Sequence, residues 1–174
     1  MTDGRADDAV SLRPYAAGDL ALLARLLGDP VMTEHLGGPD SPEAIAARHE
    51  RYLAADPATN GLFTIVVGPD GAPAGWVGFW EMVWEGQRAW ECGWHVLPEF
   101  NRRGVATAAT ALALTEARAR GRNRLMHAFP AVDNAASNAL CRRLGFTLLG
   151  EADVEYPEGH TMRASHWVLD FEAP

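Results

Sequence analysis

A strand that closes at Leu97-Pro98 passes through Asn101-Arg102-Arg103-Gly104 straight into an alanine-rich helical run that begins Val105-Ala106-Thr107. This junction commits the middle of the chain to a strand, helix, strand unit. A helix start leaves several backbone N–H groups without intrahelical partners and carries the positive end of the macrodipole, so it receives anions readily. Gly104 lets the backbone approach an anion closely, Ala106 keeps the next position small, and Arg102 and Arg103 add fixed positive charge that pairs with phosphate oxygens. The plain alternative is a basic loop that simply caps a helix.

The flanking segments supply the other elements. Val10–Arg13 reads as a strand and Asp19–Leu27 as a helix with leucines on one face. Ser41-Pro42-Glu43 starts a helix that runs to about Ala55, with a serine N-cap and proline at the first helical position. Leu62–Val67 and Ala74–Trp84 form a hairpin around Gly68-Pro69-Asp70-Gly71, and Arg88–Leu97 adds the next strand. The Val105–Arg120 helix stops at Gly121, and Leu125–Phe129 returns as a strand. After a helix ending at Leu144, Thr147–Tyr156 and Met162–Phe171 form a closing hairpin. This order gives an α/β (α+β) fold with a mixed, mostly antiparallel central sheet flanked by helices. Residues 10–174 make a single domain behind a short flexible tail, residues 1–9.

About thirty residues after the first junction, Asn134-Ala135-Ala136-Ser137 opens a helix that closes with Arg142-Arg143-Leu144-Gly145-Phe146. Together the two segments resemble the acetyl-CoA site of the GNAT N-acetyltransferase superfamily. Its phosphate motif reads Gln/Arg-x-x-Gly-x-Gly/Ala, and its later segment reads Asn-x-x-Ser/Ala with a Lys/Arg-Leu-Gly-Phe close. Gly104 and Ala106 match the first; Asn134, Ser137 and Arg143 to Phe146 match the second; Asn101 departs from the expected Gln or Arg. Leu12-Arg13-Pro14, Asp29-Pro30-Val31-Met32, Leu36-Gly37-Gly38 and Glu91-Cys92-Gly93-Trp94 look like the branch of ribosomal-protein N-terminal acetyltransferases. The resemblance implies that acetyl-CoA is the co-substrate, held by residues 102–107 (Arg102, Arg103, Gly104, Val105, Ala106 and Thr107). It further implies that the backbone near Val96 pairs with the pantetheine arm, and that Asn134 holds an amide of that arm. Asparagine is also a good helix N-cap.

Composition narrows the function. The chain has 174 residues, 48% of them hydrophobic, and a net charge of −8. That length suits one core burying roughly 70% of the unfolded surface, and the charge argues against nucleic acid as a partner. A cationic small molecule or peptide suits an acidic field better. All fifteen basic residues are arginine, which excludes lysine self-acetylation and lysine Schiff-base chemistry. No membrane span and no signal peptide is read, so the expected compartment is cytoplasmic. Cys92 and Cys141 show no metal spacing or disulfide framework, and no metal is expected.

An amine attacks a thioester only as the free base. A peptide α-amine near ~7.8 loses about 1 kcal/mol to protonation at neutral pH, whereas a lysine-type amine near ~10.4 loses roughly 4–5 kcal/mol. Glu91, which occupies the family's carboxylate position on the strand leading into the phosphate loop, is the first candidate base. The other reading makes it a partner of Arg88 or Arg103. Glu81 is a second candidate, and His95, on the same face as Glu91 if the strand is regular, is a candidate relay. The departing thiolate needs a proton donor. Many family members place a tyrosine where this chain has Cys141, so Cys141 and Ser137, one turn earlier, are the two candidates, with Ser137 favoured. Trp76, Trp80 and Trp84 share a strand face; with Trp90 and Trp94 they read as core, a subset walling the acceptor pocket. Asp153, Glu155, Glu158 and His160 are candidates for its rim.

The reading is therefore an acetyl-CoA-dependent N-acetyltransferase acting on a primary amine, either a peptide N-terminus or a small molecule, by direct attack in a ternary complex. An aminoglycoside-type drug amine is a further acceptor class, and a second copy of the chain, pairing through the closing hairpin, is a candidate partner. The alternative from another class is a non-catalytic acyl-CoA binding or sensing module, kept open by the missing tyrosine.

Overall fold

The computed structural model describes residues 9–156 and 159–173. Residues 1–8 of the expected tail and the rim candidate Glu158 lie outside the described residues. Seven strands form one sheet in the order β1-β2-β3-β4-β5-β7-β6: β1 (Val10–Pro14), β2 (Asn60–Val67), β3 (Ala72–Trp84), β4 (Gln87–Val96), β5 (Leu125–Ala128), β6 (Thr147–Glu155) and β7 (Thr161–Asp170). Every neighbouring pair is antiparallel except β4 and β5. Among the described residues four helices flank it: α1 (Leu20–Leu27), α2 (Pro42–Ala54), α3 (Val105–Arg120) and α4 (Ala135–Arg143). This is the mixed, mostly antiparallel architecture that the sequence implies.

The helices bury apolar stripes on opposite sheet faces. On one face Ala109, Ala113 and Ala117 recur every four residues along α3 and are all but fully buried with Val77, Phe79, Trp90 and Cys92. Small side chains let this helix lie close to the strands, and the four-residue spacing keeps them on one stripe. On the other face Leu22, Leu23, Leu26 and Leu27 of α1 and Ile45 of α2 bury Trp76. The unbroken β3–β4 register, Gly75↔Val96 to Trp84↔Gln87, fixes which side chains share a face.

Several boundaries differ from the sequence reading by one or two residues, and two of them have a clear physical cause. The first helix does not begin at Asp19: a 3-10 turn, Ala17–Asp19, precedes α1. The Asp19 carboxylate is 3% exposed and fully engaged, accepting from Arg13 Nη1 and Nη2 at 2.8 and 2.6 Å, from Ala16 N–H at 2.9 Å and from Thr64 Oγ1 at 2.8 Å. Such side-chain to backbone bonding favours a turn over a helix interior. β5 stops at Ala128, not Phe129, because the residue before a proline is restricted and Pro130 donates no ladder bond.

Candidate active site

The parallel junction positions the site. β4 and β5 pair only at Trp90↔Met126 and Glu91↔His127, although β4 continues to Val96. Beyond Glu91 the pairing ends, and among the described residues the β5-facing edge of β4 has no strand partner there. Leu97 N–H donates to the Ala74 carbonyl at 2.8 Å on the β3 side; by strand alternation the main-chain groups of Trp94 and Val96 point into the gap.

At the end of the gap stands the first turn of α3. Its N-cap, Gly104, has φ 76° and no side-chain cap bond reaches the turn. Arg102 is also left-handed, with φ 62°. The loop thus aims the N–H groups of Val105, Ala106 and Thr107 outward without side-chain acceptors. A Cβ added at Gly104 would meet nothing within 4 Å, so what demands glycine is backbone conformation, not room. Arg102 and Arg103 are exposed, and the Arg103 guanidinium lies 5.4 Å from the Phe100 ring centre. Arg143 reaches across from α4 to Thr107 Oγ1 at 3.5 Å. Its motif position marks the close of α4, and the fold makes it a third cation beside this turn.

A cleft of about 990 Å³ runs from this turn past β4 to α2 and the β6–β7 hairpin. Val96, Ala106, Asn134 and Ser137 line it, together with Glu91 and His95. Asn134 Oδ1 caps α4 by accepting from Ser137 N–H at 3.0 Å, which leaves its Nδ2 donor for a second partner. Trp94 Nε1 donates to Ser137 Oγ at 3.3 Å. Since indole N–H only donates, the serine's own hydrogen is directed elsewhere.

Glu91 is paired neither with Arg88 nor with Arg103: its Oε2 accepts from Trp80 Nε1 at 3.1 Å. Burial pushes its carboxyl above the usual value, against the lowering effect of that bond. His95 shares the face and the cleft; burial, and secondarily the charge of Arg48, push it down to about 4, so it is neutral at neutral pH. Gly93 between them leaves room for the Trp80 ring, 3.3 Å from where its Cβ would lie.

The remaining candidates separate. Cys141 is fully buried in the α3-side core with Trp90 and Trp167, does not line the cleft, and has its thiol pushed up to about 12 by burial. Glu81 accepts from Arg122 Nε at 3.0 Å, which with Asn123 holds its pKa down. Trp76, Trp80 and Trp84 line the cleft, whereas Trp90 is in the opposite core. Asp153 and Glu155 are at the cleft wall and His160 is not. Sequence reasoning missed Tyr52 and Arg48, from α2: Tyr52 stacks on Trp76, with centroids 5.2 Å and planes 7° apart. Among the described residues no group of three or more His, Cys, Asp or Glu is placed to hold a metal ion, and no helix is long and apolar enough to cross a membrane.

An uncapped helix start, a strand edge open beside it and a half-buried carboxylate in one cleft fit an elongated anionic thioester and a nucleophile meeting it, the construction of an acyl-group transferase. The chain belongs to the acetyltransferase (GNAT) domain family, whose model matches residues 10–147. No curated protein matches its sequence. Among solved structures it is similar to a putative acetyltransferase from Salmonella typhimurium with its cofactor acetyl-CoA, 20% identical with TM-score 0.73, covering 95% of this chain and 96% of that one. A Salmonella typhimurium acetyl transferase that modifies the N-terminal serine of a ribosomal subunit protein is 23% identical, TM-score 0.74, covering 95% and 97%. A Vibrio cholerae spermidine N-acetyltransferase, in complex with coenzyme A and spermine, is 18% identical, TM-score 0.75, covering 92% and 95%. At these identities the likeness is one of fold.

Proposed function

We propose that this protein transfers the acetyl group of acetyl-CoA to a primary amine, a peptide N-terminus or a small-molecule amine, by direct attack in a ternary complex. The observation that carries the reading is the desolvated Glu91, held by Trp80 and opening into the same cleft as the uncapped α3 turn and Ser137. The similar structures include one with acetyl-CoA and others that modify a ribosomal protein's N-terminal serine or bind spermine, so both acceptor kinds fit this fold. The motifs quoted above favour the ribosomal-protein branch.

Acetyl-CoA supplies the activated acyl carbon. The N–H groups of Val105 to Thr107, with Arg102, Arg103 and Arg143 beside them, hold its diphosphate; Val96 main chain and Asn134 Nδ2 hold its arm. Glu91 takes the proton that the amine nitrogen loses as the new C–N bond forms. Ser137, oriented by Trp94, donates at the sulfur as the C–S bond breaks and takes a proton back from water while Glu91 releases the one it took from nitrogen, so amine and thioester leave as amide and thiol and both side chains are restored. Trp80 and the aromatic wall keep the carboxylate dry, which raises its basicity.

Thiol release from acetyl-CoA, measured against peptide N-termini, amino acids, polyamines and aminoglycosides beside a control without acceptor, tests this. Turnover that rises above the control and collapses in Glu91→Gln is expected. Acetyl-CoA binding with no release for any acceptor, unchanged in Glu91→Gln, would replace the transferase with a binding or sensing module.

A further inference from the structure

Two histidines that the transfer chemistry leaves unused stand beside Glu91. Glu91 shares one level of the sheet with Trp80 on β3 and with His127 on β5. Neighbouring strands lie about 5 Å apart. Met126, one residue before His127, is buried in the α3-side core, so strand alternation turns His127 to the cleft face, where Glu91 points. The His127 ring lies 6.0 Å from Trp84 and 6.1 Å from Phe129, centre to centre, and both of those rings line the cleft.

Glu91 commits one oxygen to the β3 side, where Oε2 accepts from Trp80 Nε1 at 3.1 Å. Among the described residues Oε1 has no hydrogen-bond partner. A carboxylate and an imidazole rooted on one face at the spacing of adjacent strands are within proton-transfer reach, directly or through one water.

His127 is itself joined to a second imidazole. Its Nδ1 lies 2.8 Å from Nε2 of His166 on β7, and the rings stack with centres 5.0 Å and planes 18° apart. Trp84 and Phe129 also close on His166, at 4.6 and 4.8 Å. Both histidines are buried, and burial keeps both neutral at neutral pH, lowering His127 to about 4. Apolar side chains would fill this aromatic box at less cost than two imidazoles. Neutral imidazole offers one donor and one acceptor, so two joined by an N–H···N bond present a bare nitrogen at one end and an N–H at the other. The outer end meets the exposed edge of the sheet: Gly150 of β6 lies opposite His166, and the charge of exposed Glu85, in the β3–β4 turn, favours a proton on His166. His95, the other histidine lining the cleft, has no imidazole bonded to it.

Resting on the transferase reading, we propose that His127 and His166 are the exit for the proton that Glu91 takes from the amine. The Glu91 carboxyl hydrogen passes to His127 Nε2, the His127 Nδ1 hydrogen to His166 Nε2, and the His166 Nδ1 hydrogen to water at the β6 edge. One proton enters and one leaves, nothing is oxidised or reduced, and a half-turn of each ring resets the donors. Weak basicity suits the task, because the pair passes the proton on without storing it, and Glu91 is a carboxylate again before the next amine arrives.

The test has one arm that needs no acceptor. With 15N-labelled histidines, the ring nitrogens of His127 and His166 are followed through a pH titration of the wild type and of Glu91→Gln. In the wild type His127 is expected to shift as Glu91 gains its proton, and His166 with it; Glu91→Gln should abolish that step. Nitrogens that behave alike in the two proteins would overturn the proposal. In thiol release, His127→Ala and His166→Gln should each lower kcat by about tenfold or more, short of the loss in Glu91→Gln, with KM for acetyl-CoA and amine unchanged. Added imidazole should restore kcat to His127→Ala, whereas pyrrole, of the same shape but without a basic nitrogen, should not. Unchanged kcat, or equal rescue by pyrrole, would reduce the pair to packing. Silence of the wild type with every amine would instead count against the transferase reading, and the nitrogen titration would still decide whether the Glu91 proton reaches His127.

Discussion

Gly104→Ala should separate what the phosphate loop costs from what it does. The native φ of 76° lies in the left-handed region, where an L-residue is disfavoured by roughly 1–2 kcal/mol. A new Cβ meets no atom within 4 Å, so no clash adds to that figure. For a domain of this size the loss corresponds to a fall in Tm of roughly 2–8 °C. The variant can relieve the strain by turning residue 104 back to negative φ, and that rotation swings the N–H groups of Val105 and Ala106 off their common target. Affinity for acetyl-CoA then falls with stability. Gly104→Asn, which tolerates the left-handed region, should keep most of both, and Gly104→Val, β-branched, should lose the most. Thermal unfolding and calorimetric titration with acetyl-CoA across the three variants measure the two effects side by side. Wild-type affinity in Gly104→Val would refute the cradle, whatever happened to its Tm.

Glu91→Gln should lower kcat/KM by ~10² or more, and in the wild type the acidic limb of the pH profile should fall above the usual carboxylate range because burial raises this group; a limb unmoved by the substitution would remove Glu91 as base. Ser137→Ala should reduce kcat by about tenfold or more, whereas Cys141→Ala should spare kcat and cost about 1 kcal/mol of stability as a small buried cavity; the reverse pattern would exchange their roles. His95 and His127 are pushed down to about 4, both chiefly by burial, and His166 is also lowered. An unfolded histidine titrates near ~6.5, so between that pH and about 4 the unfolded chain binds protons that the folded one refuses, and stability falls as pH drops through this window. Glu91, raised, opposes it with one group. The urea midpoint should therefore decline between pH 7 and 5; a flat midpoint would contradict these burials.

Local signals carried most of the fold. Ser41-Pro42, Gly104, Gly121 and Asn134 each mark a helix end by a mechanism that acts within one turn, and the structure ends its helices there. The site is less legible because it depends on depth and on partners distant in sequence. Ser137 and Cys141 are four apart and so share one side of α4; only the tilt of that helix against the sheet decides that one opens to the cleft and the other sits in the core. Glu91 could be chosen from its strand, but its partner Trp80 is set by the β3–β4 register. Arg48 belongs to no motif, and its place opposite β4 follows from how α1 and α2 pack on the sheet.

The two residue pairs between β4 and β5, against ten between β3 and β4, make the sheet two leaves joined at a narrow seam. Such a seam is where sub-global opening is least costly, and the amide hydrogens of Trp94 and Val96, which face the gap, should exchange ahead of those in β2 and β3. A pantetheine arm lying along that edge would act as an eighth, detachable strand, so ligand binding and sheet closure become one equilibrium. At a hundred times Kd this linkage adds about 2.7 kcal/mol, felt by the leaf carrying β5 to β7 as much as by the turn that holds the phosphates.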